Sequence, residues 1–125
     1  MDALIRYGFT IDEVKLIMDS LSFLSSIDDK SIEKLLFFLQ SLHCDEDVIK
    51  NIFICNPFCF MKDIDEVKKL INKLKEYRIE CFPILFDSNP FLLNKTDKEI
   101  ENFYQKKIKE GYTIEKINDM LFSIV

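Results

Sequence analysis

The tripeptide Asn-Pro-Phe occurs twice, at Asn56-Pro57-Phe58 and at Asn89-Pro90-Phe91, 33 residues apart. Self-similarity at a period in the thirties marks a stacked repeat, and it constrains the fold more than composition does. A degenerate copy, Ser22-Phe23-Leu24, stands 34 residues before Asn56. A second echo joins the two ends of the chain. Gly8-Phe9-Thr10-Ile11 resembles Gly111-Tyr112-Thr113-Ile114, about three periods of 34 away.

Apolar residues keep step with these motifs. Ahead of each Asn-Pro element lies a segment with apolar residues three and four apart. These are Val14, Ile17, Met18 and Leu21; Val48, Ile52 and Cys55; Cys81, Ile84 and Leu85; and Ile117, Met120, Leu121 and Ile124. A second segment follows each element: Ile32, Leu35, Leu36 and Leu39; Val67, Leu70, Ile71 and Leu74; Ile100, Phe103, Tyr104 and Ile108. Such spacing puts the side chains on one face of a helix. Thr10 and Thr96 each precede a Glu by three residues, the capping-box spacing, and Thr113 precedes Glu115. Asp45-Glu46-Asp47 and the pair Asp63 and Glu66 crowd two further helix starts, where acids complement the helix dipole. They read as caps rather than calcium ligands, since an EF-hand loop needs a central Gly.

The pattern predicts alternating helices A and B joined by a tight Pro-containing turn: A 10–21, B 30–42, A 45–55, B 63–77, A 80–87, B 96–109, A 113–124. The units run over approximately 8–42, 43–77, 78–110 and 111–125 within one domain, 1–125. A single unit cannot bury its apolar face, so neighbours must stack. The expected fold is all-α, a short α-solenoid of about three and a half helix–turn–helix repeats. Pro57 and Pro90 suit the first turn of a helix and no later position. Asn56 and Asn89 leave the αR region ahead of Pro, and their amides are expected to cap the turn that follows. Phe58 and Phe91 are expected to plug the gap between A and B.

Composition excludes other classes. With 2 Gly and 3 Pro in 125 residues the chain lacks the turns of an all-β fold and any Gly-rich phosphate loop. Apolar residues are 48% and charged ones 31%, so a packed core is expected. Cys44, Cys55, Cys59 and Cys81 lie among Ile, Phe and Leu, and His43 is the one histidine. Core packing is favoured over zinc, which needs four ligands, and over a disulfide framework. Reduced cysteines, no bilayer-length apolar run and no signal or transit pattern in the first residues point to the cytoplasm, with no membrane partner. No nucleophile–base constellation is present. His43 beside Cys44 reads as a structural pair at a helix boundary, so no catalysis and no cofactor are expected.

Net charge is −5, and it all falls in residues 1–60. An acidic chain is a poor non-specific polyanion binder. On the B helices, however, Lys34, Lys69, Lys73 and Lys106 fall opposite the core residues, with Lys62, Lys68, Lys75, Arg78, Lys107 and Lys109 around them. Two readings stand. One is a ladder that tracks phosphates. The other is an ordinary solvated face on which Glu66, Glu76 and Glu99 pair with the lysines.

The stretches Ile52 to Met61 and Leu85 to Asn94, with the openings Tyr7-Gly8-Phe9-Thr10 and Gly111-Tyr112-Thr113, resemble the repeat of the mitochondrial transcription termination factor (mTERF) family. The resemblance implies units of two α-helices and one 3₁₀ helix, and a surface that grips duplex DNA or RNA. The alternative is a protein-interaction adaptor for a basic partner, or self-association as a homodimer through the C-terminal helix and its Leu121, Phe122, Ile124 and Val125.

Overall fold

The computed structural model describes residues 2–20 and 28–123. Leu21, the degenerate turn Ser22-Phe23-Leu24, Ile124 and Val125 lie outside the described residues. Among those described, the chain is all-helical and holds no strand. Eight α-helices follow in order: α1 Asp2–Tyr7, α2 Ile11–Ser20, α3 Asp29–Ser41, α4 Glu46–Cys55, α5 Ile64–Glu76, α6 Phe82–Ser88, α7 Asp97–Lys109 and α8 Ile114–Met120. A 3₁₀ helix, Pro57–Met61, links α4 to α5, and a second, Pro90–Asn94, links α6 to α7.

The starts follow from the caps. The Thr10 hydroxyl accepts from the Glu13 amide at 3.1 Å while the Glu13 carboxylate accepts from the Thr10 amide at 2.8 Å, a closed capping box. Thr96 and Glu99 close another on α7. Asp28, Asp45, Asp63 and Thr113 cap α3, α4, α5 and α8 with their side chains. The ends of α1, α3, α5 and α7 share one geometry as well. Gly8, His43, Arg78 and Gly111 all adopt positive φ. Each amide bonds back to the carbonyl three residues earlier, and the next amide bonds back five, as Phe9 does to Leu4, Cys44 to Leu39, Ile79 to Leu74 and Tyr112 to Lys107. This is the Schellman arrangement. Its appearance after α1 shows that α1, which periodicity did not reveal, ends as the B helices do. At six residues, α1 is too short to display a repeating apolar spacing.

Packing joins like to like. α1, α3, α5 and α7 stack in sequence, as do α2, α4 and α6, and the two 3₁₀ helices touch each other and α4. The buried residues form one contiguous cluster from Ala3 to Leu121. On α3 and α5 the expected stripes are buried throughout. On the A helices the stripe is displaced. Ile49, Ile52 and Phe53 are buried on α4, and Phe82, Leu85 and Phe86 on α6. Val48 is half-buried, while Cys55, Cys81 and Ile84 are exposed. Cys55 and Cys81 are therefore surface thiols, and only Cys44 and Cys59 pack in the core. Burial pushes the Cys44 thiol up to about 11. On α7, Phe103 is half-buried and Ile108 exposed.

The Pro turns also differ from expectation. Phe58 is 51% exposed and Phe91 41%, so neither plugs the unit. A 3₁₀ helix turns by three residues, and the side chains it sends inward are Pro57, Cys59 and Phe60, then Pro90, Leu92 and Leu93. Phe60 fills the gap, its ring 4.4 Å from that of Phe53.

Candidate binding surface

Asn56 and Asn89 are the buried polar side chains among the described residues, and neither caps its own turn. Each reaches a partner more than 30 residues further along the chain instead. The Asn56 amide donates to the Pro90 carbonyl at 2.9 Å and exchanges hydrogen bonds with the Asn94 amide at 3.1 and 2.9 Å. Asn89 donates to the Leu121 carbonyl at 2.7 Å. Leu121 thus stands where Pro90 stands one unit earlier, and the amides of Leu121, Phe122 and Ser123 bond back three residues in the 3₁₀ manner. The Lys62 ammonium also spans units, donating to the carbonyls of Leu93 (2.8 Å) and Lys95. Its burial lowers its pKa from the ordinary lysine value. These bonds tie the first 3₁₀ helix to the second and the end of α6 to the end of α8.

The candidate cations lie on the row of α3, α5 and α7. Lys73 is half-buried and pairs with Glu76 at 2.8 Å and with Glu101 of α7 at 3.5 Å. Lys107 pairs with Glu110 at 3.3 Å and sits over the rings of Phe103 and Tyr112. Both ammonium groups are thus tied down by carboxylates, of which the sequence singles out Glu76 but not Glu101 or Glu110. Lys34, Lys68, Lys69, Lys75, Arg78 and Lys106 are exposed and hold no ion pair among the described residues.

All of these but Lys69 line clefts, which are separate. Lys34 and Lys68 line one between α3 and α5, together with Phe37, Phe38, Ser41, Asp63, Ile64 and Asp65. Lys75 and Arg78 line a second with His43 at the C-terminal ends of the same helices, where cations also complement the dipole. Lys106 lines a third beside Lys95, Phe103 and Leu121. Phe37, 65% exposed, falls off the apolar stripe of α3, so helical periodicity does not select it. That misplacement is itself the signal that could have found it.

No group of three or more His, Cys, Asp or Glu is placed to hold a metal among the described residues. No helix there is long and apolar enough to cross a membrane. No family model matches the chain, and neither the curated proteins nor the solved structures return a match.

Proposed function

We propose that this chain is a non-enzymatic binding module, a short α-solenoid of mTERF-like repeats, that engages a nucleic-acid backbone along the row of α3, α5 and α7. The observation that carries this reading is that Lys34, Lys68, Lys69, Lys75, Arg78 and Lys106 along that row are exposed and hold no ion pair among the described residues. Cations left free in this way can release counterions on meeting phosphates, whereas paired ones must first lose a carboxylate. The acidic excess lies in residues 1–60, while residues 61–125 balance to zero, so the net charge does not oppose contact at α5 and α7.

The test is electrophoretic mobility of duplex DNA and duplex RNA from low to physiological salt. Binding should weaken with salt, and Lys34→Glu with Lys69→Glu should reduce the slope of log affinity against log salt by about 2. Absence of binding at low salt to duplex and single strand alike would end the reading.

A second reading, a protein-interaction adaptor, rests on Phe58 and Phe91, which are exposed at equivalent places on successive 3₁₀ helices. A protein docked there would bury apolar surface that water now meets. Concentration-dependent light scattering that responds to Phe58→Ser and Phe91→Ser would favour its self-association form.

A further inference from the structure

The three helices α3, α5 and α7 are each 13 residues long, so their positions can be compared one for one. Their fifth residues are Glu33, Lys68 and Glu101. Glu33 accepts from Arg6 of α1 at 2.5 Å, and Glu101 lies 3.5 Å from the Lys73 ammonium of α5. Each acid thus ties its helix to the preceding one in the row. Lys68 reverses the charge at this position. At the tenth residue, where α5 offers Lys73, α3 carries Phe38. Neither half of the α5–α7 bridge exists between α3 and α5, and no other ion pair joins them among the described residues.

The place of the missing bridge is an open cleft of about 610 Å³ with Lys34 and Lys68 among its lining residues. Phe37, the ninth residue of α3, stands in it where α5 and α7 have Asn72 and Gln105. Packing therefore requires no aromatic at this position, and a ring 65% open to water costs solubility with no gain to the core. Two acids also line the cleft, Asp63 and Asp65. The Asp63 carboxylate is turned onto the Asp65 amide at 3.1 Å as the cap of α5, where the helix N-terminus offsets its charge.

We infer that the α3–α5 cleft is a single-strand nucleic-acid site, in which Phe37 stacks on an unpaired base while Lys34 and Lys68 hold the flanking phosphates. An exposed ring in one cleft with two unpaired cations suits a chain of alternating flat bases and charged phosphates. A duplex hides the base faces that the ring would meet. This rests on the nucleic-acid reading above and narrows it to one cleft and one form of the polymer.

The experiment is fluorescence anisotropy of a labelled oligothymidylate and of a duplex of the same length, with wild type, Phe37→Ala, Phe37→Trp and the double variant Phe38→Lys with Lys68→Glu. The single strand should bind wild type more tightly than the duplex. Phe37→Ala should weaken it roughly 5- to 100-fold. Phe37→Trp should keep or improve binding. The double variant gives up the core contact of the half-buried Phe38 and puts the α5–α7 bridge between α3 and α5, so it should keep the helical fold, checked by circular dichroism, and lose the single strand. Equal binding by Phe37→Ala and wild type overturns the inference. So does displacement of the oligonucleotide by polyglutamate as effectively as by unlabelled strand, which would mark an acidic-peptide groove. If the duplex still binds through Lys34 and Lys69 in either case, the broader reading survives. If neither polymer binds, both fall.

Discussion

A buried amide is costly unless every one of its hydrogen bonds is made, and Asn56 meets that condition only by using groups of another unit. Its partners, the Pro90 carbonyl and the Asn94 side chain, belong to the turn one repeat further on. Asn56→Ala should therefore destabilise by about 1–3 kcal/mol, because the Pro90 carbonyl is left without its partner. A double-mutant cycle of Asn56→Ala with Asn94→Ala should show coupling of about 1 kcal/mol. Denaturation midpoints check both, and additive losses would place the two amides in separate environments. The importance of Asn56 was legible in the sequence from its repetition at Asn89. Its bonding was not, since the preference of Asn for turns is a local rule and the acceptor lies 34 residues away.

At the level of single elements, the 3₁₀ helices decide which aromatic rings matter. The repeated Phe58 and Phe91 draw attention in the sequence, yet both face water. Phe53 of α4 is fully buried, and its ring meets those of Phe60 at 4.4 Å and Phe9 at 5.9 Å. Phe53→Ala should cost about 3–5 kcal/mol, whereas Phe91→Ala should cost about 1 kcal/mol or less. Thermal unfolding of the two variants distinguishes them, and a larger loss for Phe91→Ala would contradict the placement of the turn. The displaced stripes of α4 and α6 have a related cause. These helices touch a 3₁₀ helix as well as other α-helices, so their buried face spans neighbouring positions such as Ile52 with Phe53 and Leu85 with Phe86. By contrast, α3 and α5 bury one regular stripe that periodicity alone identifies.

For the whole molecule, ion pairs between successive helices make stability depend on pH. Tyr77 donates to Glu101 at 2.6 Å and, with Lys73, holds that carboxyl below the ordinary value of 4.5. The Thr10 amide and Lys50 of α4 do the same for Glu13. A depressed folded-state pKa contributes stability that is complete above the unfolded value and is lost as pH falls through the folded one. The melting temperature should hold above pH of about 4.5 and decline below it. Glu101→Gln should flatten part of that decline, as calorimetry across the acid range would show. An unchanged acid profile would mean that the α5–α7 bridge contributes nothing.

The sequence by itself determined the helical class, the caps and the stripes of α3 and α5, because each is set by residues within a turn or two of one another. It also held the candidate cations, although not which of them are paired. The tertiary structure alone decided that Asn56 and Asn89 serve the following unit, that Phe58 and Phe91 face outward, and that the α3–α5 cleft lacks the bridge joining α5 to α7. Those outcomes depend on which side chains two stacked units bring together, and local spacing carries no record of that.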